Sequence, residues 1–132
     1  MVDDEGVDIV FNVKGTPKTL AVQVKSRFAS SALVQRKRIY RAQVRRKVFR
    51  PREDLYLLFV LFDDLDAFNI DRAWLIPSLQ FQQMTANQSP RRPNLVFAVN
   101  IRGKNNIGTD YLCSRQELAN RVAVAIEEVH AE

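Results

Sequence analysis

Three polar side chains near the start of the chain, Asp8, Gln23 and Lys25, have the types and the spacing to work together. Asp8 opens the run Asp8-Ile9-Val10-Phe11-Asn12-Val13, and the other two lie in Leu20-Ala21-Val22-Gln23-Val24-Lys25-Ser26. Side chains alternate sides along a strand, so Gln23 and Lys25 share the face opposite to Leu20, Val22 and Val24. Directly opposed residues of a hairpin also share a face. Any register whose paired numbers add to an odd value, such as Asp8 with Gln23, therefore gathers all three on one surface. An acid, an amide and an ammonium then converge. Hydrolysis of a phosphodiester asks for such groups: it needs a metal ion to polarise the phosphate and acidify a water, and a nearby cation to offset charge in the transition state.

The element that must position them is a hairpin. Two β-branched runs flank Lys14-Gly15-Thr16-Pro17, whose glycine and proline mark the turn. Alternating polar residues on a solvent-facing strand are also common, so the same three residues are open to a second reading as a polar edge face without chemistry.

An Asp followed fifteen residues later by Gln-x-Lys at the end of a strand resembles the PD-(D/E)XK, restriction-endonuclease-like nuclease superfamily. Asp4-Glu5-Gly6-Val7-Asp8 and Gln23-Val24-Lys25-Ser26 are further similar to a branch of that superfamily found in small bacterial proteins, and the likeness extends through Leu55–Phe62 and Trp74–Ser78. The resemblance implies that Asp8 and Gln23 ligate Mg²⁺ or Mn²⁺ and that Lys25 is catalytic. It also marks two departures. The superfamily usually opens with a helix carrying a further Glu, whereas seven residues precede Asp8 here; Asp3, Asp4 and Glu5 are the candidates to substitute. Gln23 stands where many members have Glu and supplies an oxygen without charge.

Composition is that of a soluble globular chain. One domain fits the 132 residues, with 46% hydrophobic and 27% charged residues. A lone cysteine, Cys113, excludes an internal disulfide and a cysteine-based zinc site, and fits a reducing cytoplasm. No apolar run reaches the ~18 residues of a membrane span, and the acidic start lacks the order of a secretory signal.

Charge is distributed unevenly. The net charge is +5, yet no Asp or Glu falls between Ile9 and Arg52 while thirteen of the twenty basic residues do. Such a block attracts polyanions, nucleic acid foremost. Arg27, Arg36, Lys37, Arg38, Arg41, Arg45, Arg46 and Lys47 are the expected nucleic-acid contacts, and Phe28, Tyr40 and Phe49 lie among them as candidates to stack on bases. From Ala29 to Phe49 both periodicities occur. Tyr40, Ala42 and Val44 alternate, as in a strand; Tyr40, Val44 and Val48 are four apart, as in a helix. The expectation is an extended basic arm after a loop at Ser30-Ser31.

Further along, Leu55–Phe62 reads as a central strand covered on both faces, and Ala73–Ile76 as the next strand, stopped by Pro77. Ser78–Met84 reads as a short helix with Leu79 and Phe81 to Met84 turned inward. Asn94–Ile101 is a strand with Leu95, Phe97, Val99 and Ile101 on one side; 102–108 is a polar loop and Tyr111–Cys113 a brief pairing segment. Ser114-Arg115-Gln116-Glu117 is a capping box opening a helix with the apolar stripe Leu118, Val122, Ala125, Ile126 and Val129. Asp63, Asp64, Asp66 and Asp71 read as solvated turn residues. Cys113 and Trp74 read as core, and His130 as a helix-end residue.

The expected fold is therefore α/β: a mixed central sheet of about five strands flanked by helices, with the C-terminal helix on one face. Such a sheet leaves apolar surface that a second copy, in a homodimer, is expected to cover. Three functions are carried forward: a metal-dependent nuclease acting on DNA, a catalytically degenerate relative that binds nucleic acid or a protein, and an interaction subunit whose basic arm docks on an acidic partner.

Overall fold

The first turn is built by its own side chains. In the computed structural model, which describes residues 8–63, 69–101 and 108–131, the Thr16 hydroxyl donates to Val13 O at 2.9 Å. Gly15 takes the left-handed conformation at φ 79° that the turn requires. The turn joins β1 (Ile9–Asn12) to β2 (Thr19–Phe28) in an antiparallel pair.

β2 then pairs in parallel with β4 (Leu55–Asp63). Parallel neighbours need a long crossover, and this one holds the basic block. It folds into α1 (Ala32–Lys37) and β3 (Ile39–Arg45). β4 continues antiparallel to β5 (Asn69–Pro77), which is followed by α2 (Ser78–Met84), β6 (Asn94–Asn100), a short 3-10 turn, β7 (Leu112–Cys113) and α3 (Arg115–Val129). The central sheet runs β1-β2-β4-β5-β7 and is mixed; β3 and β6 form a separate antiparallel ribbon. The α/β class and the five-stranded sheet are thus as expected from sequence, with one change of membership: Asn94–Asn100 pairs with β3 outside the central sheet.

The sheet separates two cores. On one face Leu20 and Val22 of β2, with Tyr56, Leu58 and Val60 of β4, meet Val122, Ala125 and Ile126 of α3. The capping box starts this helix as the sequence requires: Glu117 N donates to Ser114 Oγ at 3.2 Å and Ser114 N to Glu117 Oε1 at 3.0 Å. On the other face Leu57, Phe59 and Leu61 with Trp74 and Ile76 are covered by the ribbon and by Phe81 of α2. Phe59 and Phe97 stack with centroids 4.3 Å apart. Gly108 sits against this stack, where a Cβ would come within 3.0 Å of Phe97 and Trp74.

Several expectations are corrected. The segment 29–49 is no free arm: α1 is helical, and β3 buries Tyr40, Ala42 and Val44 against the sheet. Tyr40 and Phe49 are core residues and do not face bases, whereas Phe28 is exposed. Leu79, Gln82 and Gln83 point to solvent, because a helix of two turns reaches the core through Ser78, Phe81 and, in part, Met84. Cys113 and Trp74 are buried as expected, and burial pushes the Cys113 thiol up. His130 finds a partner in β2, its Nε2 lying 3.1 Å from Thr19 N and 2.9 Å from Thr19 O. Asp71 pairs with Arg72 at 2.9 Å. Asp64, Asp66 and the loop 102–107 lie outside the described residues.

Candidate active site

The β1–β2 register decides whether the three polar residues meet. Ile9 opposes Val22, Val10 Ala21, Phe11 Leu20 and Asn12 Thr19. Each pair adds to the same odd number, and continued by one step that register would set Asp8 opposite Gln23. The backbone departs from that register at Asp8, whose N–H donates to Val22 O at 3.0 Å, so Asp8 meets Val22 and not Gln23. The Asp8 carboxylate then carries on the ladder beyond the strand, Oδ2 accepting from Val24 N at 2.7 Å. That bond fixes the carboxylate at the edge of β2 and leaves Oδ1 free of any described partner.

On β2, Gln23 lies beside Leu57 of β4, Lys25 beside Phe59 and Arg27 beside Leu61. Neighbours across a sheet share a face, so this polar row points toward the ribbon. Gln23 is only 4% exposed, and its carboxamide has no hydrogen bond to a described residue. Since no fully enclosed side-chain polar atom among the described residues lacks a partner, the amide end keeps a path to solvent while its stem is buried. Lys25 is half-buried, and its ammonium likewise has no hydrogen-bond or ion-pair partner among the described residues.

β3 holds this row in place from above. The Tyr40 hydroxyl donates to the Lys25 carbonyl at 2.7 Å, tying the crossover to the strand that carries the site. Tyr40 is fully buried against Trp74, its ring 4.9 Å away, and against Phe59 and Phe97. Burial pushes its phenol well above the usual value, against the opposing pull of the Arg27 charge and the Val60 backbone. The phenol therefore stays protonated and donating. Sequence reasoning placed Tyr40 among candidate base stackers; the signal for its true position was its phase, shared with Ala42 and Val44.

The basic residues divide into two groups. Arg46 is engaged, its guanidinium donating to Arg92 O at 3.2 Å and Ser89 O at 3.0 Å; Arg27 donates to its neighbour Ser26 O at 2.7 Å. Arg36, Lys37, Arg38, Arg41, Arg45 and Lys47 have no ion pair among the described residues, where the four salt bridges involve Lys18, Arg52, Arg72 and Arg121.

Could these groups hold a metal? Asp8 offers one charged oxygen besides the one bonded to Val24, and Gln23 one neutral oxygen. Two oxygen donors fit Mg²⁺, which keeps several waters and is commonly held by one or two side chains. No cluster of three or more His, Cys, Asp or Glu occurs among the described residues; Asp3, Asp4 and Glu5 lie outside them. Compared with protein-family models, with curated proteins and with solved structures, the chain has no significant match.

Proposed function

We propose that this chain is a metal-dependent phosphodiesterase acting on DNA, with Asp8, Gln23 and Lys25 as its working groups. One observation carries the proposal: on the face of β2 where β4 and β5 carry Leu57, Phe59, Trp74 and Ile76, β2 carries Gln23 and Lys25, neither partnered among the described residues. A bound divalent cation would polarise the scissile phosphate and lower the pKa of an attacking water. Asp8 and Gln23 would hold it through carboxylate and carboxamide oxygens. Lys25 brings an ammonium to the phosphate, where it offsets the charge that builds in the transition state. Tyr40 positions Lys25 through its carbonyl. The cationic residues of α1 and β3 draw in and hold the nucleic acid.

A second reading has its own support. Asp8 Oδ2 is already taken by Val24 N and Gln23 carries no charge, so the site has a single anionic ligand and would suit a protein that binds without cutting. Nicking of supercoiled plasmid in Mg²⁺ or Mn²⁺ separates the two. The nuclease reading expects metal-dependent nicking that Lys25→Ala and Asp8→Ala each reduce about 10²- to 10³-fold; binding without any nicking by the wild type would select the second.

The reading carries two further expectations. A cytoplasmic setting suits a lone buried cysteine, and among the described residues no helix is long and apolar enough to cross a membrane. A homodimer remains the proposed state, since β1 is an edge strand with Ile9 and Val10 exposed; a monomer by light scattering at micromolar concentration would exclude it.

A further inference from the structure

The ribbon has a second face, turned away from the polar row of β2. Tyr40, Ala42 and Val44 with Leu95, Phe97 and Val99 point into the core, so Ile39, Arg41, Gln43 and Arg45 with Asn94, Val96, Ala98 and Asn100 point away from it. These outer residues are exposed or half-buried. A face turned to water needs only to be polar, yet this one is selective in its types. Neither strand contains an Asp or Glu, two arginines alternate with a glutamine along β3, and the residues opposite them on β6 are small or amide-bearing. Asn94 Nδ2 donates to Gln43 Oε1 at 3.0 Å, which fixes the two amides diagonally across the ribbon and leaves Gln43 with N–H donors and Asn94 with an oxygen acceptor. Beside them, Arg41, Gln43, Arg92, Pro93, Asn94 and Val96 line a shallow recess of about 250 Å³. The outer edge of β6 is closed by Gln88, whose amide bonds both Val96 N and Val96 O at 2.9 Å.

Basic residues cluster at both ends of the ribbon, and at one of them Arg38 lines a recess together with Asp63 and Asp71. Arg36, Lys37 and Arg38 lead into β3; Lys47 follows it, and Arg91 and Arg92 precede β6. Arg38 is the one non-glycine residue with positive φ among the described residues, at 55°, where it ends α1 in the left-handed conformation. Glycine is the usual occupant of that position, and here an arginine holds it.

We infer that the outer face of the β3–β6 ribbon reads duplex DNA in the major groove, with Arg41, Gln43, Arg45 and Asn94 meeting base edges and the cations at its two ends meeting phosphates. A two-stranded ribbon fits that groove, which is about 12 Å wide in B-form DNA. The side chains match what the groove presents: arginine to the N7 and O6 acceptors of guanine, an amide to the N7 acceptor and N6 donor of adenine, and Val96 and Ala98 to the thymine methyl. A-form RNA has a deep, narrow major groove closed to such a ribbon. The inference rests on the nucleic-acid part of the proposed function and is independent of whether Lys25 cleaves.

The test is binding of the whole chain in EDTA, where no metal-dependent cutting consumes the probe, to labelled 20-bp duplexes drawn from a random pool, to the matching single strands, and to duplex RNA. Duplex DNA should bind at least tenfold more tightly than the other two, and selection should enrich a preferred sequence. Arg41→Ala, Gln43→Ala and the triple variant Arg41→Ala/Gln43→Ala/Arg45→Ala should each reduce the preference for that sequence over a scrambled one, by about fivefold or more per residue. Arg38→Gly should weaken all sequences alike and lower the salt slope by about one unit, while leaving the melting temperature unchanged or raised. Guanine N7-methylation of the selected duplex should abolish its advantage. DNA binding with an unchanged preference in the ribbon variants, or duplex RNA bound as well as duplex DNA, would overturn this inference and leave the nuclease reading standing. No binding to any nucleic acid would overturn both, and would point to an acidic protein as the partner.

Discussion

The two faces of β2 are built on opposite rules. Toward α3 the strand presents Leu20 and Val22, both fully buried, and the partly buried Val24. Toward the ribbon it presents Gln23, Lys25 and Arg27, although the strand beside it continues that face with Leu57, Phe59 and Leu61. A sheet face selected only for stability would carry its apolar row across β2 as well. The polar row costs burial that the α3 face gains, and the strand tolerates it at the margin of the core, next to the ribbon, where the amide of Gln23 can still reach solvent. Such a departure from the local rule is where function is expected. The comparison also explains Tyr40: its hydroxyl gives the Lys25 carbonyl a partner at the junction between the dry face and the polar row.

The sharpest way to break this comparison is to truncate one residue on each face. Leu20→Ala should cost about 2 to 5 kcal/mol, as for a buried leucine, while Gln23→Ala, which removes a buried stem but no hydrogen bond to a described residue, should cost about 1 kcal/mol, both by urea unfolding. Equal losses would make Gln23 an ordinary core residue. Tyr40→Phe removes a single hydrogen bond and should cost about 1 kcal/mol; if it positions Lys25, kcat for DNA nicking should also fall while KM holds. The α3 side offers the smallest test. Ser114→Ala should cost about 1 kcal/mol by loss of the helix cap. Hydrogen bonds from the Ser114 backbone and side chain hold the Glu117 carboxyl below the usual range. Its contribution is therefore complete above the ordinary carboxylate value and lost as pH falls through the lowered one. The difference in melting temperature between wild type and Glu117→Ala should be present at pH 7 and shrink at pH 3.

Part of the candidate site was legible because it depends on parity and local chemistry. Gln23 and Lys25 fall on one face by alternation and the turn before them is fixed by Gly15 and Thr16, whereas the bonds of Asp8 to Val22 and Val24 are not foreseen by parity. α3 announces itself through Ser114 and Glu117, and α2 through Pro77. What was not legible depends on partners distant in sequence. Nothing local tells β3 to pair with β6, some fifty residues away, so the alternation of Tyr40, Ala42 and Val44 showed a strand without its place, and the basic block read as an arm. α1 buries only Val34, too little for a periodic signal. The amide pair of Gln43 and Asn94 follows from that same distant pairing.

The most direct test of the central claim, that the polar row on β2 is kept for chemistry at the expense of stability, is to make it apolar. In Gln23→Leu/Lys25→Met, thermal melting and metal-dependent plasmid nicking are measured side by side. The expected result is a melting temperature equal to the wild type or higher by about 3 °C, together with loss of nicking. A lower melting temperature with nicking retained would contradict it and return the row to a structural role.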